Sequence, residues 1–120
     1  MLILTKREKP GFALVGCTKA AVACMKAAMD QDLDIVAVSD ESYPEMRNLL
    51  DACGLIGCDP STGGLIGCVY TFTDYRAMIR EKKPDLVAIA ADSENYEEIK
   101  AFCESHGARV IETDKAVSQK

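Results

Sequence analysis

Apolar runs and polar breaks alternate along the chain in a way that predicts strand and helix in turn. Phe12–Val15 (FALV) ends at Gly16 and has the length and composition of a buried strand. Lys19–Met29 (KAAVACMKAAM) is rich in helix formers and apolar around most of its circumference, as suits a helix packed closely on a sheet. Asp34–Ser39 (DIVAVS) predicts a second buried strand, stopped by Asp40. Ser42-Tyr43-Pro44-Glu45 has the form of a capping box. The Ser42 hydroxyl accepts from the Glu45 N–H, the Glu45 carboxylate reaches back, and Met46, Leu49, Leu50 and Cys53 share one face of the helix that follows.

The alternation resumes in the second half. Val69–Phe72 predicts a short strand, and Thr73-Asp74 caps a helix with Tyr75, Met78 and Ile79 inward. Pro84 disfavours helix at Lys83 and closes that element. Leu86–Ala91 (LVAIAA) is a further buried strand. Asp92-Ser93 then caps a last helix, with Glu94, Glu97 and Glu98 where the helix dipole favours acids. Ile99, Phe102 and Cys103 supply its apolar face, Gly107 stops it, and Ala108–Glu112 (ARVIE) predicts a fifth strand.

Strands that are apolar throughout, separated by helices, imply a parallel sheet covered on both faces. The expected fold class is therefore α/β, a three-layer α/β/α Rossmann-like doubly wound sheet of about five strands with right-handed connections. A ligand site in such a sheet lies at the carboxyl ends of the strands, which points to Gly16–Lys19, Asp40–Ser42, Thr71–Asp74 and Ala91–Asn95. One stretch breaks the alternation. The pentapeptide GLIGC occurs at Gly54–Cys58 and again at Gly64–Cys68, around the turn-forming Asp59-Pro60-Ser61-Thr62-Gly63. Too few units are present for a solenoid. Residues 54–68 are expected to form an irregular excursion, hairpin-like or loop, or else an apolar patch for self-association.

Length and charge narrow the possibilities. The 120 residues form a single domain, since two independent cores would each be too small. Nineteen acids against fourteen bases, a net charge of −5, leave no basic stripe for a nucleic-acid backbone. No apolar run approaches the roughly 20 residues that span a bilayer, and the start MLILTKREKPG has its charges after its apolar residues, unlike a secretory signal. A cytoplasmic protein with neither nucleic-acid nor membrane partners is expected. Without a secreted context, the six cysteines read as reduced thiols, with Cys17, Cys24 and Cys103 inside apolar, periodic segments. Cys53, Cys58 and Cys68 match no common metal spacing, and His106 is the single histidine.

The chemistry-bearing candidates cluster at two strand ends. Gly16-Cys17-Thr18-Lys19-Ala20-Ala21 follows the first strand at the position of a dinucleotide fingerprint, keeping its first glycine, Gly16, and the accepted alanine, Ala21, at the third. Thr18 stands at the middle position, where a side chain hinders backbone approach to a pyrophosphate, so weak binding is expected. The Thr18 hydroxyl and Lys19 near a helix N-terminus remain suited to a phosphate. Asp40 closes the second strand, where an acid accepts from a ribose hydroxyl and repels a 2′-phosphate, or else merely flanks a helix.

The series FALVG, DIVAVSD, VYTFTDYRAMIREKKPDLVAIA and GARVIETDK resembles the NAD(P)-binding Rossmann domain of the Gfo/Idh/MocA oxidoreductases, the relatives of glucose–fructose oxidoreductase and inositol dehydrogenase. Thr73–Ile79 (TDYRAMI) and Lys83–Ala90 (KPDLVAIA) are its most specific pieces. The resemblance implies an NAD(P) cofactor, for which the acid at Asp40 favours NAD over NADP, and Gly16, Thr18, Lys19, Asp40, Ala91 and Ser93 are the expected contacts. The chain departs from the family in its chemistry. Where the family has Thr-Pro-Asn after the fourth strand and then a histidine, Ala91, Asp92, Ser93 and Tyr96 stand here. Where it has Glu-Lys-Pro with a catalytic lysine, Thr113, Asp114 and Lys115 stand, the lysine one position late. The family's second domain would begin beyond the last residue.

Three functional classes emerge from these features. They are a dinucleotide-binding domain that is not catalytic on its own, a non-catalytic nucleotide-sensing or regulatory module, and a thiol redox or metal module. No residue is assigned a catalytic or metal-binding role. Association into a homodimer is expected, since the excursion and the sheet edge would otherwise lie uncovered.

Overall fold

The computed structural model describes residues 10–17, 19–58, 69–90 and 95–112. Its elements run β1 (Gly11–Val15), α1 (Lys19–Asp30), β2 (Asp34–Ser39), α2 (Tyr43–Ala52), β3 (Gly57–Cys58), β4 (Val69–Phe72), α3 (Tyr75–Lys82), β5 (Leu86–Ile89), α4 (Tyr96–Ser105) and β6 (Arg109–Glu112). All strand pairings are parallel, in the order β3-β4-β2-β1-β5-β6. The five strands anticipated from hydrophobic patterning are present, and β3 adds a two-residue edge strand.

The alternation of side chains along each strand divides the core into two layers. Phe12, Leu14, Val38, Leu86 and Ala88 face α1 and α2, whereas Ala13, Val15, Ala37, Val87 and Ile89 face α3 and α4. On α1 the buried residues Ala21, Cys24, Met25 and Ala28 recur at helical spacing on one stripe. Their small size brings the helix axis close to the sheet. Each fully buried large side chain, such as Phe12, Leu14, Met25 or Ile79, contributes roughly 1.5–3 kcal/mol of transfer free energy.

Several local expectations need correction. Ser42 is the N-cap of α2, yet its hydroxyl makes no capping bond. The Ser42 N–H, which Glu45 would reach in a capping box, donates instead to Asp40 Oδ1 at 2.8 Å, and Glu45 is exposed. The start of α4 also differs. Asn95 is its N-cap, while Asp92, Ser93 and Glu94 lie outside the described residues. In the region of the GLIGC repeat, Gly57–Cys58 pairs parallel with Val69–Tyr70, with Val69 N–H donating to Ile56 O at 2.7 Å. A hairpin would pair antiparallel, so these two strands do not form one. Residues 59–68, with the second repeat, lie outside the described residues.

Candidate functional site

The strand order reverses between β1 and β5, and there the backbone of β1 turns into α1. Gly16 makes that turn with φ +93°, in the left-handed region that side chains rarely adopt. A Cβ at Gly16 would lie 2.9 Å from the Ala90 Cβ. The backbone is held on both sides, Gly16 N–H donating to Ser39 O at 2.8 Å and Ala90 N–H to Val15 O at 3.0 Å. Glycine is thus required here twice over, by conformation and by the close approach of the β5 end.

Asp40 is half-buried at the end of β2, one strand away. Its carboxylate accepts from Cys17 N–H through Oδ2 at 2.8 Å and from Ser42 N–H through Oδ1 at 2.8 Å. Its own N–H donates to Phe72 O at 3.1 Å, linking it to β4. Asp40 does flank a helix, and it does stand beside the first fingerprint glycine.

Both residues line a cleft of about 400 Å³ at the carboxyl edge of the sheet. Asp40, Glu41, Asp74 and Glu98 make its wall strongly acidic, and Arg76 is the base among the described lining residues. That charge is already engaged, with Arg76 Nη2 lying 2.7 Å from Glu98 Oε2 across α3 and α4. The Arg76 guanidinium also lies 4.9 Å from the centre of the Tyr75 ring, which meets Phe102 edge-on at 5.6 Å. Asp74 caps α3 by accepting from Arg76 N–H at 3.0 Å. The Tyr75 hydroxyl is buried without a hydrogen-bond partner among the described residues. Burial pushes its phenol up, Arg76 opposing and Glu98 adding to the shift.

Among the described residues, the buried thiols are not reactive groups of this site. Cys17, Cys24, Cys53 and Cys103 are free, and all but Cys53 are buried. Burial, reinforced by Asp40 and Glu45, pushes the Cys17 thiol up to about 12, and burial pushes Cys24 and Cys103 up to about 11. At neutral pH such groups hold almost no thiolate, the form that acts as nucleophile and ligand. His106 is exposed at the end of α4, its Nδ1 2.9 Å from Phe102 O. Among the described residues no three His, Cys, Asp or Glu side chains converge as metal ligands, and no helix is long and apolar enough to cross a membrane.

Of the anticipated contact residues, Gly16 and Asp40 are brought together on the cleft. Lys19 opens α1, although its side chain lies outside the described part, as do Thr18, Ala91 and Ser93. All four segments expected to meet are represented on the cleft, through Gly16, Asp40–Glu41, Thr73–Asp74 and Asn95. Sequence reasoning missed Tyr75, Arg76 and Glu98. Their signal is positional: each falls in the first turn of a helix that follows a strand at the carboxyl edge. The pairing of Arg76 with Glu98 has no counterpart in local sequence.

Solved structures share this fold. A myo-inositol 2-dehydrogenase from Lactobacillus plantarum is similar over 86% of this chain and 27% of its own, at 16% identity and a TM-score of 0.66. An oxidoreductase from Agrobacterium radiobacter, solved with NAD+, L-tartaric acid and magnesium, matches over 87% and 27%, at 21% identity and a TM-score of 0.69. The WlbA dehydrogenase from Bordetella pertussis, in complex with NADH and UDP-GlcNAcA, matches over 88% and 29%, at 19% identity and a TM-score of 0.67. The chain has a Rossmann-like fold. Inositol dehydrogenases, after which the family resemblance is partly named, are among the structures that share it. The chain spans 27% of the length of the first of these. No protein-family model matches it, and no curated protein does.

Proposed function

We propose that this chain is the dinucleotide-binding domain of a Gfo/Idh/MocA-like oxidoreductase, taking NAD(H) in preference to NADP(H). One observation carries the reading: Gly16, in a turn that admits no Cβ, lines the same cleft as the Asp40 carboxylate. The donors and acceptors fit such a ligand. Asp40 accepts from ribose hydroxyls, and the N–H groups of the first turn of α1 suit a diphosphate. Thr18, Lys19, Ala91 and Ser93 complete the proposed contact set. When bound, the dinucleotide supplies a nicotinamide that exchanges hydride. The acidic wall disfavours a 2′-phosphate, since Arg76 is already paired with Glu98. Titration with NADH and NADPH, followed by the fluorescence of the reduced nicotinamide, tests this. NADH should bind about tenfold or more tighter than NADPH. Binding of neither, or a preference for NADPH, refutes it.

A nucleotide-sensing role without hydride transfer is the second reading, favoured by Asp114 where the resembling family has its catalytic lysine. Steady NADH production by the pure chain from a polyol or sugar would exclude it. The free cysteines support a cytoplasmic setting. Association into a homodimer belongs to the same proposal. Ile56 is 67% exposed and Tyr43 51%, and both line a hollow of about 250 Å³ beside the edge strand β3. Sedimentation at micromolar concentration should show a species of twice the chain mass that Ile56→Asp with Ile66→Asp dissociates. A 13.0 kDa species alone would refute it.

A further inference from the structure

Asp40 does more than face the cleft. The β1–α1 turn leaves the sheet through a left-handed glycine, and the next N–H, that of Cys17, donates to Asp40 Oδ2 at 2.8 Å. The Cys17 side chain is buried in the core, so the backbone of this residue meets the acid. Asp40 is itself fixed from two other directions, through its N–H to Phe72 O on β4 and through Oδ1 to Ser42 N–H at the start of α2. A carboxylate anchored in this way is a rigid reference point for the turn.

We propose that Asp40 is a positioning residue for the diphosphate-facing turn, holding it in place through Cys17 N–H independently of any ribose contact. Its effect on a ligand rests on the dinucleotide reading of the cleft, whereas its hold on the turn does not. A carboxylate offers about four acceptor sites. Two are taken by Cys17 and Ser42. The remainder accept from a ribose hydroxyl without displacing the bond that holds the turn. Hydrogen bonds to ionised acceptors are the stronger kind, so losing this one frees the turn before a ligand arrives. Asp40 thus has two separable effects on a nucleotide, one through the ribose hydroxyls and one through the backbone that faces the phosphates.

ADP and 2′,3′-dideoxy-ADP, which lacks both ribose hydroxyls, separate them. If Asp40 acts through the ribose alone, removing its carboxylate leaves the affinity for 2′,3′-dideoxy-ADP unchanged. If it positions the turn, Asp40→Ala weakens 2′,3′-dideoxy-ADP as well, by about tenfold. Calorimetry with wild type and Asp40→Ala measures this, with Asp40→Asn, which keeps one acceptor oxygen, expected between them and available should the alanine variant not fold. In the unliganded chain, hydrogen exchange of the Cys17 amide should speed up by about tenfold in Asp40→Ala while amides of β5 keep their rates. An unchanged affinity for 2′,3′-dideoxy-ADP or an unchanged Cys17 exchange rate overturns the proposal. If the wild type binds neither nucleotide, the dinucleotide reading fails, and the exchange rate alone decides whether Asp40 holds the turn.

Discussion

An aspartate grips each end of β1, and the two grips differ in what surrounds them. At the amino end Asp85 Oδ2 accepts from Gly11 N–H at 2.7 Å, while Asp85 N–H donates to Gly11 O at 2.8 Å. At the carboxyl end Asp40 Oδ2 accepts from Cys17 N–H at 2.8 Å. The bonds are nearly the same. Asp85 is exposed at the edge where the strands begin and the helices end, whereas Asp40 faces a cleft ringed by the first turns of α3 and α4. In a parallel sheet the helix N-termini, with their unsatisfied N–H groups, collect at the carboxyl edge. One side-chain-to-backbone bond therefore serves the strand at one end and a site at the other.

The sharpest way to break this comparison is at the turn itself. Gly16→Ala combines a left-handed conformation with a contact against Ala90, and should lower the unfolding free energy by about 3 kcal/mol in a urea titration. Adding Ala90→Gly should recover the steric share and leave the conformational one. Full recovery would mean that φ carries no strain.

The amino-end grip should show a smaller and purely structural effect. Asp85→Ala is expected to cost about 1 kcal/mol, reduced from the usual charged hydrogen bond by exposure, and to leave nucleotide affinity unchanged. A loss of affinity as large as that of Asp40→Ala would remove the distinction between the two ends. Smallest of all should be Ser42→Ala. Its hydroxyl makes no capping bond, so the cost should stay below about 0.5 kcal/mol, against about 1 kcal/mol for a working N-cap. A full capping loss in thermal unfolding would show that Asp40 does not stand in for Ser42.

The strands were legible because each is apolar throughout and short. Asp34–Ser39 and Val69–Phe72 form as read, and β1 begins one residue earlier, at Gly11. Helix starts were less legible where another residue competes for the same N–H. Ser42-Tyr43-Pro44-Glu45 has the pattern of a capping box, but Asp40 bends back through a two-residue turn and takes the donor. Lys83 ends α3 just before Pro84 as read, but in a left-handed conformation at φ 46° rather than the extended one a following proline favours.

By itself the sequence determined the layered α/β arrangement, the segments at the carboxyl edge and the two residues, Gly16 and Asp40, that meet on the cleft there. These come from local hydrophobic period and from one glycine and one acid at strand ends. Only the tertiary structure decided how those residues are used. Gly16 is irreplaceable because the end of β5, remote in sequence, presses the Ala90 methyl into the space a side chain would need. Asp40 holds Cys17 because β1 and β2 lie side by side, and Arg76 is neutralised because α3 and α4 start on the same face. Such pairings depend on which strands and helices become neighbours, and local periodicity carries no information about partners that far apart in the chain.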